Sequence, residues 1–201
     1  MKINKTPQEF GYVIQHNLCL FLRGPLSQWW SSFAGQEGGG IKIEAYKFYC
    51  PVHMGEVYKY ICEQYGVDGI MSFNCLEQWM MACKAAVFDD LETLKKIMAT
   101  NYAKEQKALG RLVKNYDQKV WDQHKYHVVL TGNQFKFEQN ENVREFLMQF
   151  NKNTLFVECN KYDKVWACGL AIDDPRALDV YAWQGENLLG EVIREVRRGL
   201  N

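Results

Sequence analysis

The sequence predicts an α+β fold: one predominantly helical domain with a few short strands. Two patterns and a size argument lead there. Apolar residues recur at helical period through Leu76, Met80, Cys83 and Val87, through Val143, Phe146, Leu147 and Phe150, and through Leu188, Leu189, Val192, Ile193 and Val196. Short runs at 18–22, 41–49 and 155–157 have the length and turn-flanked setting of strands. With 201 residues, 47% of them hydrophobic and 24% charged, the chain is large enough for one substantial core.

Twenty-four basic and 24 acidic residues balance to a formal charge of zero, so no global basic field favours broad nucleic-acid binding. A local basic pocket is compatible with that balance. No run of 18 apolar residues marks a membrane span, and the first ten residues lack the apolar stretch of a secretion signal. Seven irregularly spaced cysteines without a C-x-x-C pair then read as free thiols in a reducing compartment, and the expected location is cytoplasmic. Cys83 and Cys168, in apolar settings, read as packing residues.

Taken in order, residues 1–17 are polar and form an N-terminal arm or a first edge element, and the domain proper runs over 18–201. The run 18–22 is a buried strand closed by Arg23-Gly24-Pro25. In the loop 24–33, adjacent Trp29 and Trp30 cannot point the same way from an extended backbone. One belongs to the core and the other to a pocket; Trp30 is carried as the pocket candidate. Residues 35–40 form a glycine-rich turn with neither a P-loop nor a dinucleotide fingerprint. Alternation over 41–49 predicts a strand, and 54–65 an amphipathic helix using Val57, Tyr60 and Ile61.

Residues 74–90 carry the strongest helical pattern. Asn74 with Glu77 three positions later predicts a capping box, and Asp89 with Asp90 predicts the cap of a second helix over 91–99. A further helix contains Leu109-Gly110-Arg111-Leu112; Gly110 implies a close helix contact or a helix end. Arg111 can fork a phosphate or brace a carboxylate, with bracing ranked slightly first. His124 and His127 at i, i+3 lack a nearby third ligand, so no metal site is assigned. Lys136 and Asn133 are candidates to line a site. Glu158 ends a short strand, a position that aims a carboxylate rigidly. Asn187 is placed as the cap of the last helix.

The chemistry starts from Glu77 and Lys84. Seven positions apart on a helix, they lie within roughly 20° of each other on one face. A solvated helix edge explains the pair as well as a catalytic acid and amine do, on pattern alone.

The residues 76–85, Leu-Glu-Gln-Trp-Met-Met-Ala-Cys-Lys-Ala, resemble the (V/L)-E-x-x-M-M-A-x-K-A signature of the NADAR (YbiA-like) N-glycosidase family. Five further segments match in order: the G-P-x-S loop at 24–33, the L-G-R-x-V segment around Arg111, the W-D…K-F-x-Q-N stretch from Trp121 to Asn140, the L-V-E…D-x-x-W segment with Glu158, Asp163 and Trp166, and the W-x-G-x-N-x-L-G segment at 183–190. Departures are Leu130 for a methionine, Ala167 for a glycine, and an insertion around 53–69 beside the expected pocket.

The resemblance implies a YbiA-like fold and cleavage of a C–N bond between ribose, phosphoribosyl or ADP-ribosyl, and a base or amino-pyrimidine. The expected partner is a small nucleotide or an ADP-ribosylated guanine, free or within nucleic acid, with no membrane partner and no cofactor. It casts Lys84 as an amine that forms a Schiff base at ribose C1, with Glu77 and Asp163 moving protons. Lys136 or Arg111 supplies a cation beside it. Arg23 and Ser27 are expected to hold phosphate, Trp121 and Trp166 to stack on the base, and Gly24, Trp30, Arg111, Lys136 and Glu158 to complete the lining. The competing readings are direct attack by water with Lys84 as a phosphate contact, a silent ADP-ribose- or nucleotide-binding module, and a structural protein.

Overall fold

The computed structural model describes residues 11–33, 37–66 and 68–200. Two small sheets and seven α-helices make up these residues. Strands β1 (Tyr12–Gln15), β2 (Leu18–Phe21) and β5 (Leu155–Glu158) form one sheet in the order β1-β2-β5. Strands β3 (Ile41–Glu44) and β4 (Ile70–Phe73) form an antiparallel pair. The helices are α1 (Glu56–Tyr65), α2 (Leu76–Val87), α3 (Leu91–Ala99), α4 (Ala103–Gly110), α5 (Gln118–Gln139), α6 (Glu141–Met148) and α7 (Leu188–Gly199). The end of the expected N-terminal arm is thus an edge strand, antiparallel to β2, while residues 1–10 and 34–36, including the start of the glycine-rich turn, lie outside the described residues.

The core surrounds α2. Eleven of its twelve residues are buried, and Lys84 is the exception. Two glycines explain how closely its neighbours approach. A Cβ on Gly110 would lie 1.9 Å from Met81 Sδ, so with Met81 placed as it is the glycine is what lets α4 close on α2. Gly24 takes φ +82° and starts the turn in which the Ser27 amide donates to its carbonyl, a conformation L side chains resist. On the other flank, the Trp79 indole donates to the Val128 carbonyl of α5 at 2.8 Å.

Strands β2 and β5 run parallel with Phe21 opposite Glu158. Their carboxyl ends therefore emerge side by side, delivering the 24–33 loop and Glu158 to the same edge. Open α/β sheets use the same geometry to place ligands at strand ends.

Several local expectations changed. The capping box does not form: Cys75 is the N-cap of α2, and the Asn74 amide donates to Gln78 Oε1 rather than to Glu77. Glu77 is free for other contacts as a result. Asp90 caps α3 through Thr93, whereas Asp89 caps α1 through the amides of Glu56 and Val57. The insertion helix α1 thereby docks on the α2–α3 corner and packs on α3. The strand expected over 41–49 stops at Glu44 and gives way to a 3₁₀ turn, Ala45–Lys47. His124 Nδ1 meets the Tyr49 hydroxyl at 2.5 Å, and the Tyr49 ring is tilted against both His124 and His127. No described helix is long and apolar enough to cross a membrane.

Candidate active site

Four elements bring charged side chains together: α2 with Glu77 and Lys84, α4 with Lys107 and Arg111 at its end, β5 with Glu158, and the following turn with Asp163. The loop 24–33 adds Trp29. Its indole N–H donates to Glu77 Oε2 at 3.0 Å, and the Gln28 carbonyl accepts from the Glu77 amide at 3.1 Å. Glu77 is only 3% exposed, and its Oε1 is buried without a protein donor. Burial raises its carboxyl above the usual range, and the negative charge of Asp163 adds to this. Lys107, the Trp29 bond and Arg111 oppose the shift.

Glu158 is pushed up to about 8 by burial first and then by the charges of Asp163 and Glu77, with Lys107 opposing. Part of its surface still reaches solvent, although protein crowds it on most sides. Asp163 Oδ1 accepts from the amides of Val165 and Trp166 at 3.1 and 2.9 Å, and Oδ2 lies 3.9 Å from Lys107 Nζ. Lys107 also sits 5.9 Å from the centre of the Trp29 ring. Three carboxyls thus share the field of one lysine.

Lys84 lies at the edge of this cluster. Its ammonium donates to the Gly110 carbonyl at 2.8 Å and stands 4.0 Å over the Tyr116 ring. Burial lowers its basicity, the Arg111 charge lowers it further, and Glu77 works the other way. Arg111, exposed at the end of α4, uses its amide to close the helix, and its guanidinium makes no hydrogen bond or ion pair among the described residues, so the expected bracing role is not what the structure contains. It acts through its charge on Lys84 and Glu77.

Six lining assignments are corrected. Trp30 packs against the core and donates to the Glu37 carbonyl; Trp29, 44% exposed, faces the carboxyls instead. Trp121 and Trp166 are buried in the core, 5% and 8% exposed, because their large apolar surfaces fill it, and neither is presented to a base. Lys136 is fully buried, with Nζ on the Ser27 carbonyl at 2.9 Å, and Asn133 is equally enclosed. Burial lowers the Lys136 amine to about 7. Ser27 is buried as well, 4% exposed, and its hydroxyl accepts from the Trp29 amide within the loop. Gly24 shapes the turn, and Arg23 is exposed at its head. Asn187 occupies the N-cap position of α7 but does not cap it with its side chain.

Sequence reasoning missed Lys107 and Trp29. Lys107 lies one helical turn before Arg111 on α4, so a helix-face reading extended from Arg111 would have reached it. A hollow of about 210 Å³ between β5 and α7 is lined by Phe156, Trp183, Asn187 and Arg194 and by none of the clustered charges.

A family model for the NADAR domain matches residues 22–201. An N-glycosidase of Acanthamoeba polyphaga mimivirus is 39% identical over 121 residues, 60% of this chain and 71% of that protein. The Caenorhabditis elegans protein irg-1 is 34% identical over 135 residues, 66% of this chain and slightly less than two thirds, 63%, of its own length. The NMR structure of the E. coli protein YbiA superposes with a TM-score of 0.62 at 20% identity, covering 96% of this chain and 90% of that one, and so shares its fold. With the family match extending from the end of β2 through α7, the chain belongs to the NADAR domain family.

Proposed function

We propose that the chain is an N-glycosidase that cleaves the bond between ribose C1 and the nitrogen of a base or amino-pyrimidine. The ribosyl group would be phosphoribosyl or ADP-ribosyl. The mimivirus relative is named for this class of reaction, and the charged cluster has the groups it needs. Breaking such a bond builds positive charge at C1 and expels a poorly leaving amine. Carboxyls that stabilise the cation and supply a proton, with an amine able to attack, lower that barrier.

The observation that carries the proposal is the environment of Lys84. Half-buried, beside Arg111 and within the field of Glu77, it has a basicity depressed in the direction a nucleophilic amine requires. In the proposed path its nitrogen attacks C1 while the C1–N bond breaks. The ribosyl-lysine then opens to a Schiff base as the ring oxygen takes a proton. Water adds to C1 and returns the free amine. Trp29 offers an exposed aromatic face for the departing base, and Arg23 and Arg111 are exposed cations for phosphate.

One observation favours a second path. The Gly110 carbonyl and the Tyr116 ring both stabilise Lys84 as an ammonium. In that state it anchors phosphate, and a carboxylate activates water directly. Two assays separate these. Release of free base is followed on phosphoribosylamino-pyrimidine, ADP-ribosyl-guanosine and NAD in parallel, with Glu77→Gln and Lys84→Ala as controls. Borohydride trapping then compares wild type with Lys84→Ala. Base release with equal labelling of both proteins leaves only the water path, and no base release from any substrate ends the proposal in favour of a binding module for ADP-ribose or nucleotide.

A further inference from the structure

The three carboxyls of the cluster are not equally available. Glu77 is held by the Trp29 indole and its second oxygen is enclosed. Asp163 holds the 163–166 turn through two amide bonds and faces Lys107. Proton transfer to or from either disturbs contacts already made. Glu158 differs: among the described residues no donor bonds its carboxyl, and part of it reaches solvent.

Its backbone, in contrast, is fixed on every side. The Glu158 amide donates to Asn187 Oδ1 at 3.0 Å, its carbonyl accepts from the Cys168 amide at 2.8 Å, and the next amide, Cys159, donates to the Phe21 carbonyl at 2.7 Å. Asn187 also donates from Nδ2 to the Phe156 carbonyl at 2.9 Å. One buried side-chain amide therefore clasps two successive polar groups on the free edge of β5, as a neighbouring strand would. Asn187 reaches them from a left-handed backbone, φ +54°, which asparagine tolerates better than most residues.

We infer that Glu158 is the acid that protonates the leaving nitrogen, and that Asn187 is the residue that positions it. The inference rests on the glycosidase reading above. As the C1–N bond breaks, its electron pair stays on nitrogen and the Glu158 proton moves to that nitrogen. The Glu158 carboxylate left behind lies in the field of Lys107 and regains a proton from water. The groups acting on it are Asp163 and Cys168 from the following segment, Lys107 from α4 and Glu77 from α2.

Two measurements test this. The first follows the carboxyl carbons of 13C-glutamate-labelled protein against pH, in wild type and Glu158→Gln, and needs no substrate. A carboxyl titrating well above pH 6 in wild type and missing from Glu158→Gln is expected; its absence from wild type, or its persistence in the variant, overturns the inference. Wild type that cleaves nothing defeats the glycosidase reading instead, which keeps the two failures apart.

The second measurement compares leaving groups. Nicotinamide leaves NAD as a neutral ring without needing a proton, whereas an amino-linked base needs one. Glu158→Gln is expected to lose about 10²–10⁴-fold on ADP-ribosyl-guanosine or phosphoribosylamino-pyrimidine, and less than about tenfold on NAD. An equal loss on both kinds of substrate overturns the acid role. For Asn187→Ala the expectation is a lower kcat with KM kept, and a Glu158 carboxyl moved toward the ordinary range. Asn187→Asp, which keeps the acceptor for the Glu158 amide, should recover part of both. An unmoved Glu158 resonance in Asn187→Ala, or in Asn187→Leu where the alanine variant does not fold, removes Asn187 from the positioning role.

Discussion

The Trp29 indole N–H lies 3.0 Å from Oε2 of Glu77, joining residues 48 positions apart. The bond belongs to a short strap. Lys136 holds the Ser27 carbonyl from below, the Glu77 amide donates to the Gln28 carbonyl, and the Ser27 hydroxyl accepts from the Trp29 amide. Three consecutive residues therefore connect a buried lysine on α5 to a buried carboxyl on α2. An indole can only donate, so it binds an unprotonated oxygen, and any proton on Glu77 sits on Oε1.

Trp29→Phe keeps an aromatic face and removes this donor. The bond stabilises the carboxylate, so its loss is expected to raise the already raised Glu77 carboxyl further. In a 13C carboxyl titration the Glu77 resonance, assigned with Glu77→Gln, should move to higher pH. Base release should fall on the order of tenfold, for about 1.4 kcal/mol of lost positioning. A Glu77 resonance that stays where it is in wild type contradicts the account of the bond.

Lys136→Met separates stability from function. The amine is lowered to about 7 in the folded chain, against an ordinary value of 10.5. Between those values the unfolded chain holds more protons, so this group makes stability rise with pH from about 7 to 10 and withholds it below 7. Methionine fills the same space without a buried amine. At pH 6 the variant is expected to match or exceed wild type by about 1–2 kcal/mol, its stability should no longer rise from this source between pH 7 and 10, and activity should drop because the strap loses its anchor. Urea denaturation at pH 6 and pH 9.5 checks it; a destabilised variant with the wild-type pH slope would show that the amine is not buried in this way.

What the sequence made legible follows from what periodicity can carry. The apolar stripe of α2, the shared face of Glu77 and Lys84, and the strand that ends at Glu158 are local patterns, and they appear where the pattern puts them. The choice between Trp29 and Trp30 was not local, since it is set by the Gly24 turn and by the side on which α2 lies. Lys136 reads as a site residue because Phe135 and Phe137 give its stem apolar surroundings on both sides, yet the strap closes over it. Glu77 reads as half of a capping box because it stands three positions after Asn74, and only the folded structure assigns the Asn74 amide to Gln78 instead. Lys107 shares the Arg111 face of α4, which a helix-face reading reaches, but that three carboxyls from other elements surround it is set by tertiary packing alone.

Lys107→Met tests that cation. Glu158 is held at about 8 with Lys107 in place, against an ordinary 4.5. The folded chain therefore keeps a proton that the unfolded chain has lost, and this group's contribution to stability declines as pH rises from about 4.5 through 8. Removing Lys107 raises both Glu158 and Glu77, so the decline should continue above pH 8 at up to about 1.4 kcal/mol per pH unit for each group still titrating. Glu158→Gln should flatten the part of the profile that belongs to Glu158. Denaturant midpoints at pH 6, 7, 8 and 9 read all three proteins, and Lys107→Met with a profile identical to wild type would remove Lys107 from the electrostatics of the site.

Gly110→Ala probes how the helix contact reaches Lys84. The new methyl would lie 1.9 Å from Met81 Sδ and 2.8 Å from its Cγ, so either the thioether swings away or α4 moves off α2. Alanine gains about 1 kcal/mol over glycine in helix propensity, and overpacking costs about 1–3 kcal/mol, so the net loss of stability should be modest. The Gly110 carbonyl accepts from the Lys84 ammonium at 2.8 Å, and a shift of α4 carries that acceptor away. Activity is therefore expected to fall further than stability does. Met81→Ala, which opens the space the methyl needs, should restore activity to Gly110→Ala in the double variant even though Met81→Ala alone leaves a cavity costing about 2–4 kcal/mol. A double variant whose losses simply add would show that the methyl and Met81 do not compete for that space.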